Sequence, residues 1–380
     1  MEFSIEQEAL ASAMATASRA LGTRLMTNAA LAGLHLSLNG NDLTLTCTDR
    51  DLTITVETTA HTVTEGEVLL PGRLAAEIVR SLDPGAVRVR QASESEVELN
   101  AGVSRFTIRS LEPSLFPRLD DGIAASQSIS LPAEGFAVTL GRAVRAASTD
   151  ESRAVLTGVL LAPRPGGFTF VATDSYRLAI AEMDIPGTDG ILGSRMIIPA
   201  RALSEMRRVL SAVSTPMAGD MPGGAVVHFT ARESSAQMTY ANVSIVTRVV
   251  DGRFPDYERL VPTSYVHQLT FDAADMQHAL KRMKLLTQDQ KTPTRLHVSP
   301  GTVTLDVAAD DIGSASEDVP IIYDGDAFEI AFNPTFLSDG IDAVDSESVI
   351  LKTSDSGKPS LLVSPNAHDY QYLLMPIRVV

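Results

Sequence analysis

Apolar and polar residues alternate along the chain in one arrangement that occurs three times. Each occurrence has two alternating segments, a turn rich in Asn, Gly or Pro between them, and a closing Thr-Asp or Asp-Asp step. The three occurrences are residues 31–52, 156–178 and 294–311. Because alternation with a period of two is typical of half-buried strands, the pattern predicts three β-hairpins.

Two predicted helices accompany each hairpin. The first precedes the hairpin, over residues 6–21, 136–149 and 275–288. In the earliest of these, the apolar residues Leu10, Met14 and Ala17 recur at helical spacing. The second helix follows a short apolar strand, over residues 71–82, 199–213 and 333–344. A proline stands at or near each of its starts, where the N–H that proline lacks has no helical partner to lose.

The spacing of these elements predicts the fold class. The proline-initiated helices begin near residues 71, 199 and 333, about a third of the chain apart. We therefore predict an α+β fold of three similar domains, each with two helices packed on antiparallel strands. The boundaries fall where Pro, Gly and Asp become frequent, which gives domains 1–126, 127–262 and 263–380.

The charge of the chain argues against binding of nucleic acid through its whole surface. Lys and Arg number 31 and Asp and Glu number 47, so the net charge is −16. The excess of acid lies in the outer repeats, which carry 10 basic and 17 acidic residues (1–126) and 8 and 17 (263–380), against 13 and 13 in the middle repeat. Basic residues still cluster on predicted helices, at Arg201, Arg207 and Arg208 and at Lys281, Arg282 and Lys284. Each cluster is either a positively charged stripe or an ordinary solvated helix face.

Composition and the remaining motifs exclude several classes of protein. A single Cys47 excludes an internal disulfide framework and a multi-Cys metal site. No apolar stretch is long enough to cross a membrane, and the acidic start is unlike a signal peptide, so we expect a cytoplasmic protein that does not engage membranes.

No catalytic site is evident in the sequence. The seven His include no pair at the spacing of a zinc-binding helix, and the segment SDSGKPS (354–360) departs from a phosphate-binding loop. The acidic pairs at residues 120–121 and 310–311 are interpreted as solvated loop residues. We predict no catalytic residue, no metal and no cofactor. The alternative of an enzyme would require groups that converge from distant positions.

Five segments give the sequence a resemblance to a known family. They are the start MEFSIEQEAL with Leu21-Gly22-x-Arg24, VSRFTIRSLEPSLFPRLD (103–120), VATDSYRLA (171–179), DGRFPDYERLVP (251–262) and YLLMPIRVV (372–380). In this order, the chain resembles over essentially its whole length the beta subunit of bacterial DNA polymerase III, the replicative sliding clamp. The resemblance implies a head-to-tail homodimer, a ring of six similar domains that encircles double-stranded DNA and confers processivity without catalysis. It implies as partners the polymerase III alpha subunit, the clamp loader and other replication and repair proteins with a clamp-binding motif.

The resemblance also implies a pocket for partner peptides between the second and third domains. Its matching positions are Leu156, Thr173, Ser175, Tyr176, Arg177, Leu178, Pro255, Arg259, Leu260, Met375, Pro376, Ile377 and Arg378. Leu156, Leu178, Leu260 and Met375 would provide an apolar floor, and Met adapts to varied anchors.

Two further surfaces follow from the resemblance. The DNA-binding candidates are Arg24, Arg73, Arg80, Arg201 and Arg208. The dimer-interface candidates are Arg105 and Ile108 on the first domain and Leu285 and Leu286 on the third, with Asp310, Asp311, Glu317 and Asp318 as acidic partners. An exposed apolar edge strand is protected when a second subunit pairs with it.

Three features depart from the family pattern: the first bears on one contact to single-stranded or primer DNA, and the other two motivate an alternative. Ala154 and Val155 follow Arg153 where aromatic residues are common, Ser175 stands where Gly is common, and the segment 26–34 lacks the usual Pro. The chain could therefore be a specialised second copy of the clamp, for example one that resists an inhibitor.

Overall fold

The computed structural model describes residues 1–22, 29–117, 128–185, 194–212, 225–232, 234–287, 292–309, 312–354 and 357–378. These residues contain six α-helices: α1 (Gln7–Ala17), α2 (Gly72–Ser81), α3 (Ala133–Ala143), α4 (Ala200–Ala212), α5 (Ala273–Met283) and α6 (Pro334–Val344). All six helices predicted from the sequence are confirmed. None of the helices in the described part of the chain is long and apolar enough to cross a membrane.

The strands of the first repeat are β1 (Glu2–Glu6), β2 (Gly33–Asn39), β3 (Asp42–Thr48), β4 (Leu52–Thr59), β5 (His61–Thr64), β6 (Gly66–Pro71), β7 (Ala86–Ser93), β8 (Glu96–Ala101) and β9 (Ser104–Arg109). Those of the middle repeat are β10 (Ser128–Pro132), β11 (Gly158–Arg164), β12 (Gly167–Thr173), β13 (Arg177–Asp184), β14 (Met196–Pro199), β15 (Val226–Ala231), β16 (Ser235–Tyr240) and β17 (Val243–Arg248). Those of the last repeat are β18 (His267–Asp272), β19 (Thr294–Ser299), β20 (Thr302–Ala309), β21 (Gly313–Ile322), β22 (Phe328–Phe332), β23 (Ser348–Thr353), β24 (Ser360–Val363) and β25 (Tyr370–Leu374).

The three predicted hairpins are confirmed as β2–β3, β11–β12 and β19–β20, each an antiparallel pair. Two residues separate the strands in each pair, and one of the two is a glycine with positive φ. These are Gly40 (φ 58°), Gly166 (φ 76°) and Gly301 (φ 81°). A tight hairpin turn needs this left-handed conformation, which glycine adopts without a steric penalty.

The strands form three antiparallel sheets in two compact units. The first unit (1–134 and 201–249) holds the five-stranded sheet β5-β1-β7-β8-β9 and the eight-stranded sheet β10-β15-β16-β17-β4-β3-β2-β6. The second unit (135–200 and 250–380) holds the twelve-stranded sheet β14-β11-β12-β13-β25-β24-β23-β18-β21-β20-β19-β22.

The compact units differ from the sequence repeats because each large sheet joins strands of two repeats. In the eight-stranded sheet, β17 of the middle repeat pairs with β4 of the first, with Ile245 opposite Ile54. In the twelve-stranded sheet, β13 of the middle repeat pairs with β25 of the last, with Leu178 opposite Leu373. The middle repeat is thus divided between the two units.

The helices cover these sheets through apolar faces. In the first unit, Leu10 and Met14 of α1 are completely buried. In the second unit, Asn333 is the N-cap of α6, and its Oδ1 accepts a hydrogen bond from the backbone N–H of Thr335 at 2.9 Å. Gly340 of α6 lies against Tyr372 of β25, where an added Cβ would come 2.5 Å from the ring. Helix α6 therefore packs closely on the strand that leads to the C-terminal segment.

Candidate functional site

The thirteen candidate pocket residues all lie in the second compact unit, on four segments of chain. We call these four segments the candidate pocket. They are the short 3-10 stretch Glu151–Thr157, the turn between β12 and β13 (residues 173–178), the loop 255–260 with its 3-10 turn Tyr257–Leu260, and residues 375–378 after β25.

Strand pairing brings two of the segments together. Strand β13 lies between β12 and β25, so that Leu178 is opposite both Thr173 and Leu373. Beyond the end of β25, the backbone N–H of Met375 donates to the carbonyl oxygen of Tyr176 at 2.8 Å. The turn and the C-terminal segment therefore form one continuous wall, which fits the predicted grouping of these residues.

A buried apolar cluster includes or contacts residues of these segments and of the strands next to them. It comprises Leu160, Ala162, Val171, Leu178, Ile180, Ile197, Phe254, Tyr257, Leu361 and Leu373, with Val155, Val250, Val261, Tyr265 and Val363 packed against it. Of these residues, only Leu178 is among the thirteen pocket residues predicted from the sequence. The alternation along β11, β12 and β13 could have indicated the inward residues of those strands, whereas the loop residues carry no comparable signal.

The four apolar candidates divide into a buried and an exposed pair. Leu156 and Leu178 are buried, while Leu260 and Met375 are 47% and 38% exposed. Tyr176 is 62% exposed beside Met375. Of the four residues predicted to form the apolar floor, two are thus buried; the exposed two, together with Tyr176, are called the apolar rim. Exposed apolar rims of this kind are typical of ligand sites.

Arg177 is held by several partners at the start of β13. Its Nε donates to Asp174 Oδ2 at 2.9 Å, its Nη1 donates to Asp339 Oδ2 at 2.6 Å, and its guanidinium lies 4.3 Å from the centre of the Phe336 ring. Burial lowers the pKa of Arg177, but the Tyr372 hydroxyl and the two carboxylates more than offset it, so the pKa is raised. The side chain is therefore a fixed, charged part of the wall.

The turn that precedes Arg177 is built by its own side chains. Thr173 Oγ1 accepts from the N–H of Ser175 at 3.1 Å and donates to the Arg177 carbonyl at 2.6 Å. Asp174 Oδ1 accepts from the N–H of Tyr176 at 2.9 Å. These bonds hold Ser175 at φ 80°, a conformation that favours glycine. The structure thus gives the physical reason why Gly suits this position.

The remaining candidates lie on the loop 255–260 and on residues 375–378, mostly at the surface. Pro255, Arg259 and Arg378 are exposed, and Pro376 is half-buried. Arg259 Nε lies 2.9 Å from Asp256 Oδ2. The N–H of Ile377 donates to the carbonyl oxygen of Ala331 at 2.7 Å, which ties the C-terminal segment to β22.

The DNA-binding candidates lie on two helices of the first unit. Arg73 and Arg80 are exposed on α2, two helical turns apart, and neither forms an ion pair with another described residue. On α4, Arg201 pairs with Asp49 and donates to the Arg19 carbonyl at 3.0 Å. Arg24 lies outside the described residues.

The fourth described candidate, Arg208, belongs to a small charge network. The carboxylate of Glu205 is buried and accepts from Arg208 Nη1 at 2.7 Å and from Arg19 Nη1 at 3.4 Å. Because a buried carboxylate needs compensation, part of the positive charge on α4 neutralises Glu205. On these contacts, Arg73 and Arg80 are the most available of the described candidates for an external phosphate.

The interface candidates lie on an edge strand and on a helix end. Strand β9 is the edge of the five-stranded sheet, and its Arg105 is exposed without an ion pair in the described structure. Ile108 is buried within the chain, and the exposed apolar side chains here are Phe106 and, in the preceding turn, Val103.

On the third repeat, Leu285 is exposed and Leu286 half-buried. The carboxylate of Glu317 binds Arg282, which lowers the pKa of Glu317, and Asp318 Oδ1 accepts from Thr304 Oγ1 at 2.6 Å. Asp310 and Asp311 lie outside the described residues. Among the residues that are described, no group of three or more His, Cys, Asp or Glu side chains is arranged to hold a metal ion.

Comparison with known proteins gives the same family along the whole chain. Models of the N-terminal, central and C-terminal domains of the DNA polymerase III beta subunit match residues 1–120, 130–256 and 258–378. The chain is 31% identical to the beta sliding clamp of Streptomyces coelicolor and 31% identical to that of Caulobacter vibrioides, in each case over 100% of both chains.

Solved structures show the same fold. The chain superposes on the sliding clamp of Bartonella birtlesii, solved bound to griselimycin, with a TM-score of 0.89 and 26% identity over 100% of both chains. It superposes on the beta sliding clamp of C. crescentus with a TM-score of 0.87 and 29% identity, over 100% of this chain and 99% of that one. That clamp was solved with polyethylene glycol at its beta-motif tethering region.

Proposed function

The chain belongs to the DNA polymerase III beta-subunit family, the sliding clamps, and from that premise we propose that two copies form a ring around double-stranded DNA. The family is non-catalytic, and its fold is the predicted one of three clamp domains. The observation that carries the proposal is the match of all three domain models in order along the chain. The similarity favours neither the enzyme nor the specialised second copy considered from the sequence.

The net charge of −16 is compatible with this function. A closed ring stays on DNA by topology, so it needs no tight electrostatic grip, and each phosphate contact adds about −0.9 to the log–log salt slope of binding. We assign the DNA contacts to Arg73 and Arg80, which are exposed and form no ion pair with another described residue, and secondarily to Arg201 and Arg208, whose charges are partly neutralised within the chain. Arg24 stays in the proposal on the resemblance alone.

We propose that the candidate pocket binds short peptides of partner proteins. Its support is the set of four neighbouring segments that expose the apolar side chains of Tyr176, Leu260 and Met375 and bury those of Leu156 and Leu178. The proposed partners are the polymerase III alpha subunit, the clamp loader and other replication and repair proteins that carry a clamp-binding motif. Because these proposed partners act on bacterial DNA, we also propose a cytoplasmic location.

We also propose a head-to-tail dimer closed by β9 of one copy and the Leu285 region of the other. The proposal is supported by the exposure of Arg105 and Phe106, by the lack of an ion pair between Arg105 and any other described residue, and by the negative net charge of the third repeat. If two copies form a closed ring through this head-to-tail contact, the β9 edge of each copy is covered by the other copy. The proposed domain boundaries remain 1–126, 127–262 and 263–380.

The experiment that tests the function separates topological from electrostatic retention. The protein is loaded with a bacterial clamp loader and ATP onto nicked circular DNA, and the complex is filtered through a sizing column at moderate salt. We expect the protein to stay with circular DNA and to be lost once a restriction enzyme linearises it. Equal loss from the circular and linear DNA would contradict the ring.

A further inference from the structure

A hydrogen bond between Arg153 and Ser175 joins two of the four segments of the candidate pocket. Arg153 Nη1 donates to Ser175 Oγ at 2.9 Å, and Arg153 Nη2 reaches the carbonyl oxygen of Asp174 at 3.5 Å. Arg153 is not among the thirteen pocket residues. We call this contact the rim clasp.

The backbone at each residue of the rim clasp departs from the regular conformation of its neighbours. Ser175 has φ 80°, where a side chain is strained and glycine is not. Arg153 has φ −118° and ψ 64°, which interrupts the 3-10 stretch Glu151–Thr157. A glycine at 175 would relax the turn but would lose the clasp, because only a side chain at this position can accept from the guanidinium.

The segment that carries Arg153 is braced on its other sides. Asp150 Oδ2 accepts from Arg153 Nε at 3.4 Å, and Asp150 Oδ1 accepts from the N–H of Ser152 at 3.0 Å. Val155 packs on the apolar cluster, and Gly252, at φ 132°, lets it approach: a Cβ there would lie 2.7 Å from Val155 Cγ2. Val155, one of the two smaller residues that follow Arg153, thus has a structural role in this chain.

The rim clasp connects two walls that otherwise belong to different elements. Leu156 lies three residues after Arg153, in the stretch that leads into β11. Tyr176 directly follows Ser175, and its carbonyl oxygen binds the N–H of Met375. The clasp therefore ties the Leu156 wall to the wall formed by Tyr176 and Met375.

We propose that the rim clasp fixes the width of the pocket mouth and thereby selects which apolar anchors of a partner peptide enter. The inference rests on the proposed peptide-binding function of the pocket. With the clasp closed, the walls are preorganised for a slender anchor such as Leu. With the clasp released, the walls separate more readily and a broader anchor such as Phe is better accepted.

The test uses two fluorescein-labelled hexapeptides that differ only in their terminal anchor, Leu in one and Phe in the other. Their dissociation constants are measured by fluorescence anisotropy for the wild type, Arg153→Ala, Ser175→Ala and the double variant. We expect the ratio of the Phe-peptide to the Leu-peptide dissociation constant to fall about threefold to tenfold in each single variant. The double variant should match the single variants, because all three lack the same contact.

Two further variants separate a positioning role from a general loss of structure. Ser175→Asn tolerates positive φ and keeps an acceptor for the guanidinium, so it should retain the wild-type ratio. Arg295→Ala removes an exposed arginine, 3.8 Å from Glu329, elsewhere in the same unit and should leave the ratio unchanged. A ratio unchanged in Arg153→Ala and Ser175→Ala would overturn the proposal.

The failure of the clasp can be told apart from the failure of the pocket. Leu260→Ala removes an exposed rim residue and should weaken both peptides at least tenfold if they bind in the pocket. If it does so while the clasp variants keep the wild-type ratio, only the clasp is refuted. If Leu260→Ala changes neither peptide, peptide binding in this pocket is refuted and the clasp with it.

Discussion

Arg177 shows how a candidate pocket residue can be held in place by contacts within the chain. Its Nε and Nη1 donate to Asp174 and Asp339, and its guanidinium stacks on Phe336. Because the side chain is largely buried, its removal would leave two carboxylates without compensation. A loss of this kind is usually costly, whereas an exposed ion pair contributes little.

We therefore predict that Arg177→Met lowers the free energy of unfolding by about 2–4 kcal/mol. The matched control is Arg259→Met, since Arg259 forms a single ion pair with Asp256 and is 86% exposed. That control should change stability by less than about 1 kcal/mol. Urea unfolding followed by circular dichroism measures both, and equal stability of the two variants would show that the Arg177 network is not stabilising.

At the scale of elements, the contact between α6 and β25 positions the C-terminal segment of the pocket. Gly340 leaves no room for a side chain against Tyr372. Gly340→Ala should therefore destabilise the protein by about 1–3 kcal/mol, although alanine favours helices. In α3, Gly135→Ala places its Cβ 3.5 Å from Met183 Cε, an ordinary contact, and should be neutral or stabilising. Thermal unfolding of the two variants would refute close packing at α6 if both melted alike.

Helix α2 provides the element-scale prediction for DNA. Arg73 and Arg80 lie two turns apart and carry no ion pair in the described structure. Replacing both by Gln should reduce the log–log salt slope of binding to a short open duplex by about 0.9 for each arginine. Arg90→Gln, which removes an arginine already paired with Glu98 on the sheet, should leave the slope unchanged. Fluorescence anisotropy at several salt concentrations measures the slopes, and an unchanged slope in the double variant would remove α2 from the DNA interface.

At the scale of the whole molecule, local sequence patterns predict the elements but not the way in which the sheets join. The hairpins and helices follow from period, proline and turn residues, all of which act within a few positions. The pairings of β17 with β4 and β13 with β25 depend on strand edges far apart in sequence, for which a local period carries no signal. The rim clasp and the pairing of Arg201 with Asp49 are long-range in the same way. The pocket was predicted only because the family resemblance supplied that long-range information.

The proposed dimer gives the prediction at this scale. Strand β9 carries exposed Arg105 and Phe106 on a sheet edge, and Leu285 is 77% exposed on the third repeat. If these surfaces meet, Arg105→Glu places a negative charge against an acidic repeat, and Leu285→Ala removes an apolar contact. We predict that the double variant is monomeric at concentrations at which the wild type is a dimer.

Light scattering coupled to size exclusion measures the mass of the wild type and the variant. The control is Arg295→Glu with Val266→Ala, which makes the same charge reversal and also shortens an exposed aliphatic side chain to Ala, at other positions of the second unit. It should leave the dimer intact, so that a monomer is attributable to the proposed surface rather than to charge or lost apolar area in general. A double variant that kept the dimer mass would mean that the ring closes elsewhere. The nicked-circle experiment would then still report whether the protein encircles DNA, because topological retention depends on closure and not on which residues provide it.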